Sequence, residues 1–207
     1  MIELWGRTNS VNVQKVLWCA AELGLDLKRH DAGLAYGVND QDWFLALNPN
    51  GKVPLLRDGE FTLWESNSIV RYLSAKHGLG TLCPRDLQDR ANAERWMDWQ
   101  LSTLALSPAI AFWNLVRTPE PERDMAAVER AVAQTNAAFS ILDRHLTSNP
   151  FVLGEPFSMA DIPLGAIAHR WFALDGIARP DWPALRRWFD KLSERPGFQT
   201  HVMLPLS

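Results

Sequence analysis

The chain has 207 residues, of which 47% are hydrophobic and 22% are charged, and its formal net charge is −3. This composition is typical of a globular protein, and the length fits one large or two small domains. The charges are spread along the chain without a basic block, and no apolar run approaches the ~20 residues of a membrane-spanning helix, which argues against nucleic acid and membrane partners.

The first part of the sequence alternates between strand and helix patterns. Asp58-Gly59 between two apolar runs predicts a hairpin. The early strand–helix–strand unit favours a parallel pair with a right-handed crossover, and Gly24 and Gly78 are placed to end helices. The predicted order is β-α-β-α-β-β-α, with strands over residues 2–5, 25–30, 53–56 and 61–63 and helices over 13–23, 40–47 and 65–77.

Strand patterns end after Gly80, and residues 79–86 form a candidate linker. Beyond it the patterns are helical, and Pro108 is expected to kink or break the first long helix. Ser158 and Asp161 form a capping box that opens a later helix. The fold class is therefore a small α/β unit followed by an all-α unit. The other predicted helices cover residues 86–117, 122–146 and 183–194.

The segment over residues 48–69 carries the strongest functional signal. It reads NPNGKVPLLRDGEFTLWESNSI and places Glu65-Ser66 at the start of a helix. Free backbone N–H groups and the positive end of the helix dipole favour an anion there. The segment therefore predicts a sheet edge with a polar pocket for a charged, peptide-like ligand, whereas Glu65-Ser66 taken alone is more simply an ordinary helix start.

Three motifs stand in one order and span nearly the whole chain: Asn48-Pro-x-Gly-Lys-Val-Pro54, Glu65-Ser66 and Ser158-x-x-Asp161. With the order of the two units, they resemble the cytosolic glutathione S-transferases, in particular the bacterial serine/threonine-type, theta- or nu-like members. The resemblance implies a thioredoxin-like N-terminal domain over residues 1–80 that binds glutathione. It also implies an all-helical domain over residues 86–207 that contributes the electrophile pocket.

The resemblance further implies how glutathione is held. A cis peptide bond before Pro54 would expose the backbone N–H and C=O of Val53, which suit the backbone of a peptide ligand. Glu65 and Ser66 would meet the γ-glutamyl end, with the carboxylate at Ser66 and the amino group at Glu65. Lys52 is the candidate partner of the glycine carboxylate.

Activation of the sulfur needs a separate group, because a free thiol with a pKa of about 8.5 is mostly protonated at neutral pH. Comparison with the serine and threonine classes places Ser10 at the hydroxyl position and Asn12 where some bacterial members offer an amide donor. Thr8 is a more remote candidate. The alternative role of Ser10 is an ordinary helix N-cap, and the two roles are compatible because the hydroxyl can both accept and donate.

The remaining candidates are less specific. Phe112 and Trp113 are predicted to line the electrophile pocket, with core packing as the alternative. Cys19 is read as a buried small hydrophobe. Two cysteines suit a reducing cytoplasm rather than a disulfide scaffold, and the five histidines show no metal-ligand spacing, so no metal is predicted. The family's two-fold homodimer is expected by resemblance.

The predicted function is a detoxifying glutathione transferase, in which the glutathione thiolate attacks a small electrophile. The alternatives that share this thiolate are reduction of peroxides or disulfides, dehalogenation and isomerisation. An alternative of another class is a non-catalytic module that binds glutathione or a partner protein. A thioredoxin-like disulfide oxidoreductase would need a Cys-x-x-Cys motif near the first helix, and the sequence has none there.

Overall fold

The computed structural model describes all residues from Met1 to Ser207. Its first part contains one four-stranded sheet with the strand order β2-β1-β3-β4. Strands β1 and β2 are parallel, whereas β1 with β3 and β3 with β4 are antiparallel. The predicted parallel pair and the predicted hairpin are therefore confirmed. The strands are β1 (Ile2–Trp5), β2 (Leu27–His30), β3 (Leu55–Asp58) and β4 (Phe61–Trp64).

Nine α-helices accompany this sheet, and only the first three precede residue 80. None of them combines the length and the apolar character that crossing a lipid bilayer requires. The helices are α1 (Val11–Glu22), α2 (Asp42–Leu47), α3 (Ser66–His77), α4 (Leu87–Trp99), α5 (Leu106–Phe112), α6 (Met125–Leu146), α7 (Asp161–Phe172), α8 (Pro183–Ser193) and α9 (Pro196–His201).

The end of α1 shows why the chain turns sharply toward β2. Gly24 has a φ of 63°, a left-handed conformation that glycine adopts without steric cost. The N–H of Gly24 donates to the carbonyl of Ala21, and the N–H of Leu25 donates to that of Ala20. These two bonds are those of a Schellman motif, and they satisfy carbonyls that the helix end leaves free.

The structure differs from the predicted elements at the hairpin and near the end of the chain. Strand β3 begins and ends two residues later than predicted, so that Val53 and Pro54 precede it, and β4 ends one residue later than predicted. The helix predicted over residues 183–194 is confirmed as α8, which ends at Ser193, but a further short helix, α9, begins at Pro196 and is not predicted. Proline is well tolerated in the first helical turn, because the N–H groups there have no partner within the helix.

The first long helix predicted after the linker is broken. Helix α4 ends at Trp99, a π-helical turn covers residues 100–104, and α5 begins at Leu106. Pro108 lies in the first turn of α5, where it has no N–H to donate to the carbonyl of Leu104, so regular α-helical bonding does not continue from α4 into α5. A second π-helical turn follows α5 and covers residues 113–117.

Helix α1 is held against the helical part through close contacts around Trp18, which is fully buried. A Cβ added to Gly165 of α7 would lie 3.0 Å from the Trp18 ring, and one added to Gly197 of α9 would lie equally close. Both helices therefore approach this ring at a distance that larger residues do not allow. This packing fixes α1 relative to α7 and α9.

Candidate active site

One cavity of about 450 Å³ lies where the start of α1 and the segment before β3 face the helices α5 and α7. This volume is in the range of small-molecule sites. Both parts of the chain contribute to its wall, which includes the two predicted activating residues and both predicted pocket aromatics. It also includes part of the predicted glutathione grip, by which we mean Lys52, Val53, Pro54, Glu65 and Ser66. The six predicted residues in the wall are Ser10, Asn12, Lys52, Val53, Phe112 and Trp113.

Ser66 connects the remaining predicted residues to this cavity. It is the first residue of α3 and is buried, and its Oγ donates a hydrogen bond of 3.3 Å to Oδ1 of Asn12. Glu65 precedes it and is exposed. The bond between Val53 and Pro54 is cis, and Pro54 is buried. The structure therefore brings the start of α3 next to the start of α1.

The backbone at this junction favours an anionic ligand. Glu65 has a φ of 70°, a left-handed conformation that is uncommon for a residue with a side chain. No side chain caps α3, and its first turn contains no acidic residue. The N–H groups of that turn and the positive end of the helix dipole therefore remain available to a carboxylate.

Ser10 occupies the N-cap position of α1, as the sequence predicted, but its side chain makes no capping hydrogen bond. The side chain is nearly buried, with 7% of the residue exposed, and it lines the cavity. The hydroxyl is therefore free to donate to a ligand atom. Thr8 is exposed and does not line the cavity. Asn12 is exposed, and its Oδ1 already accepts from Ser66.

A buried lysine that was not predicted as a site residue lies next to the starts of α1 and α3. Lys15 lines the cavity, and its Nζ donates to Oγ of Ser66 at 3.5 Å, to Oδ1 of Asn67 at 3.3 Å and to Oε1 of Gln100 at 3.2 Å. Burial, and then the charge of Arg170, lower the pKa of Lys15 to about 7. Lys15 thus joins α1, α3 and the π-helical turn in one polar network.

Three arginines form a second group that was not predicted. Arg7, Arg117 and Arg170 all line the cavity. The guanidinium carbon of Arg170 lies 4.1 Å from the centre of the Phe112 ring, and that of Arg117 lies 4.9 Å from it. Burial, and then the charges of Arg117 and Arg7, lower the pKa of Arg170 to about 10. All three side chains remain charged at neutral pH.

The two cysteines lie outside this cavity. Cys19 is fully buried, and its Sγ lies 3.6 Å from Oγ of Ser74. Burial raises the pKa of the Cys19 thiol to about 12, so the side chain stays protonated and unreactive at neutral pH. Its prediction as a small buried hydrophobe is confirmed.

Comparison with known proteins matches the chain to two family models. The model of the glutathione S-transferase N-terminal domain matches residues 1–75, and that of the C-terminal domain matches residues 101–196. The chain is also similar to the glutathione S-transferase GstB of Escherichia coli K12, with 43% identity over the full length of both proteins.

The chain is also similar to a solved structure and to a more distant relative. The fold is similar to a theta-class glutathione S-transferase of Xanthomonas axonopodis pv. citri with glutathione bound, at 45% identity and a TM-score of 0.96, over 100% of this chain and 99% of that one. A dichloromethane dehalogenase of Methylorubrum extorquens is 34% identical, over 74% of this chain and 57% of its own length.

Proposed function

The chain belongs to the glutathione S-transferase family, and from this premise we propose how its cavity works as the active site of a glutathione transferase. Glutathione binds as co-substrate, and its thiolate attacks a small electrophile held in the same cavity. The observation that supports this most strongly is the hydrogen bond from Ser66 to Asn12. It links the predicted grip for the γ-glutamyl end to the predicted activating group.

In the proposed grip, each of the three residues of glutathione is bound by a different part of the chain. Ser66 and the free N–H groups of α3 bind the γ-glutamyl carboxylate, and the exposed Glu65 carboxylate binds the amino group. The backbone of Val53 pairs with the cysteinyl residue in the manner of an added strand. Lys52 is exposed at the cavity wall, where its ammonium group can meet the glycine carboxylate.

Ser10 is proposed to donate the hydrogen bond that stabilises the thiolate, with Asn12 as supporting or alternative donor. The Ser10 hydroxyl has no capping bond to give up, which supports this role. One hydrogen bond to a charged group contributes roughly 1.5–3 kcal/mol. Because one pKa unit corresponds to about 1.4 kcal/mol, a single donor lowers the thiol pKa by about one to two units.

The electrophile is proposed to bind against Phe112 and Trp113. Phe112 is almost fully buried, so it forms the floor of this part of the cavity, whereas Trp113 is 48% exposed and forms a side wall. The division into a glutathione-binding domain over residues 1–80 and a helical domain over residues 86–207 belongs to the same proposal. So do a detoxifying role, a cytoplasmic location, a homodimeric state and a reaction without metal.

Among the alternative reactions, displacement of a halide fits this cavity, and the similarity to dichloromethane dehalogenase supports it as a second candidate. Disulfide reduction through a protein thiol is not favoured, because neither Cys19 nor Cys83 lines the cavity. A non-catalytic module would bind glutathione without ionising it, and a turnover assay separates that case from an enzyme.

The binding site is tested by retention on immobilised glutathione and by calorimetric titration with free glutathione. We expect Ser66→Ala to weaken binding about tenfold or more, because it removes a hydrogen bond to a charged carboxylate. Ser68→Ala is the matched control, since Ser68 lies in the same helical turn but, unlike Ser66, has no hydrogen bond to Asn12 or Lys15. Failure of the unaltered protein to bind glutathione, or equal loss in both variants, would contradict the proposed grip.

A further inference from the structure

The wall of the active-site cavity is strongly cationic in a chain whose net charge is negative. Five basic side chains line it, and no acidic side chain does, although the formal net charge of the whole protein is −3. Lys52 and Lys15 already have partners in the proposed site, one at the glycine carboxylate and one within the polar network. The three remaining cations, Arg7, Arg117 and Arg170, have no anionic partner in the proposed glutathione complex.

The three cavity arginines are partly buried and have no carboxylate partner. Elsewhere in the chain, five arginines form ion pairs with carboxylates, as in Arg195–Glu22 and Arg90–Glu94, and most of the remaining arginines are exposed to solvent. None of the ion pairs in the chain involves the three cavity arginines. Burial of a cation without a counter-ion is costly, so their retention at one place indicates that an anion completes the site when a ligand binds.

The arginines are arranged around the ring that is proposed to hold the electrophile. Arg170 and Arg117 both lie against Phe112, and Arg117 also lies 4.4 Å from the centre of the Trp113 ring. The guanidinium of Arg117 donates to the backbone oxygen of Ser207 at 2.8 Å, which fixes its position. The Nε and Nη2 of Arg117 both donate to this oxygen, which leaves Nη1, whereas the guanidinium of Arg170 makes no hydrogen bond within the chain and keeps N–H edges that match the geometry of a carboxylate.

Arg7 is placed closer to the glutathione end. Its Nη1 would lie 3.0 Å from a Cβ added to Gly33, and the same Cβ would lie 3.3 Å from the Val53 side chain. The Nε of Arg7 is buried and has no hydrogen-bond partner. The acceptor side of the cavity is therefore served mainly by Arg170 and Arg117, and Arg7 lies between them and the bound tripeptide.

We propose that the acceptor substrate of this enzyme carries a carboxylate, which Arg170 and Arg117 bind while its apolar part rests on Phe112 and Trp113. This inference depends on the proposed function, since it names the substrate class of that site. For a chloro-aromatic carboxylate, the glutathione sulfur forms a bond to the ring carbon and the carbon–chlorine bond breaks. Chloride leaves with the bonding electron pair, the thiol proton passes to solvent, and no oxidant or reductant is needed.

The test compares two electrophiles with the same ring, nitro groups and leaving group, which differ in one substituent: 4-chloro-3,5-dinitrobenzoate has an anionic carboxylate and 4-chloro-3,5-dinitrobenzamide a neutral amide. We expect the intact enzyme to use the carboxylate with a kcat/KM about tenfold or more above that for the amide, after correction for the uncatalysed rates. In Arg170→Gln this preference should disappear, because only the carboxylate loses its partner. The kcat/KM for the amide should change less than about twofold.

Arg186→Gln is the control variant. Arg186 is exposed outside the cavity and lies 4.3 Å from the Phe172 ring, so its replacement removes the same charge and the same kind of stacking. It should leave both rates and their ratio unchanged. Equal use of the two electrophiles by the intact enzyme would overturn the inference. Equal loss for both in Arg170→Gln, together with a raised pKa of bound glutathione, would overturn it as well and assign the arginine to the thiolate.

A binding measurement makes the test independent of turnover. The unreactive compounds 3,5-dinitrobenzoate and 3,5-dinitrobenzamide are titrated into the glutathione complex, with quenching of tryptophan fluorescence as the signal. We expect the carboxylate to bind about tenfold more tightly, and Arg170→Gln to abolish the difference. Equal affinities would overturn the acceptor proposal and leave the proposed function intact. If the unaltered protein does not bind glutathione in a separate titration, that result would instead count against the proposed function.

Discussion

The Ser10 hydroxyl is nearly buried at the cavity wall, yet it does not cap the helix that it precedes. A polar group in such a position is expected to have a partner, and the proposed thiolate would supply it. Asn12 differs from Ser10, because its Oδ1 already accepts a hydrogen bond from Ser66. Its amide N–H groups therefore remain as donors. The two residues therefore have separate chemical roles in the same corner.

We expect Ser10→Ala to raise the pKa of enzyme-bound glutathione by about one unit or more, since it removes a donor to the thiolate. The measurement is a titration of the thiolate by ultraviolet difference absorbance, combined with the affinity for glutathione, which should change little. Thr8→Ala is the control, because Thr8 is a nearby hydroxyl outside the cavity. A shift in Asn12→Ala but none in Ser10→Ala would move the role to Asn12.

The site residues that lie in short sequence motifs could be predicted from the sequence. Ser10, Lys52 and Val53 belong to short segments, and the structure places all three at one cavity. Arg170 and Lys15 were missed for a physical reason. Each is one basic residue on a helix, and only packing of α1 against α7 makes them neighbours. A basic residue within the apolar stripe of α1 was the available signal for Lys15.

At the scale of elements, the start of α7 shows how a short motif organises two helices. The Asp161 carboxylate accepts from the N–H of Val152, from the N–H and hydroxyl of Ser158 and from the indole of Trp188. Burial raises the pKa of Asp161, and these hydrogen bonds act against that rise. Ser158 and Asp161 are thus bonded as predicted, but α7 begins at Asp161 with Ala160 at its N-cap, so the pair joins the preceding loop, α7 and α8 instead of capping the helix.

We expect Asp161→Ala to destabilise the protein by about 3 kcal/mol or more, because it leaves several buried donors without an acceptor. Asp124→Ala is the matched comparison, since Asp124 caps α6 at an exposed site through one bond to the N–H of Ala127. That change should cost only about 1 kcal/mol. Urea unfolding of both variants measures the difference, and equal losses would show that the buried network adds nothing to a simple cap.

The order and type of the elements were predictable because they follow local patterns. The parallel pair, the hairpin, the helical second part and a break near Pro108 were all predicted, whereas the boundaries of β3 and the form of that break were not. Strand register depends on partners far along the chain, since β3 pairs with both β1 and β4. Pro108 marked the break, but a π-helical turn over residues 100–104 is too rare a structure to be predicted from a proline alone.

At the scale of the whole molecule, the exposed edge of the sheet bears on assembly. Strand β4 is an edge strand, and Phe61 on it is 46% exposed and packs against Tyr72 with ring centres 5.0 Å apart. An exposed aromatic residue on an edge strand favours contact with another protein surface. We expect this region to be covered in a two-fold homodimer, which the resemblance implies.

We expect the protein to sediment as a dimer, with a mass near twice the 23.4 kDa of one chain. Phe61→Glu should shift the equilibrium toward the monomer, because a charge in an apolar interface has no partner there. Ile141→Glu is the control, since Ile141 is similarly exposed but lies on α6, away from the sheet edge.

Because the glutathione grip and the electrophile pocket both lie within one chain, the monomeric variant should keep its affinity for glutathione. A mass near 23.4 kDa for the unaltered protein would contradict the dimer, and loss of glutathione binding on dissociation would show that the second subunit completes the site.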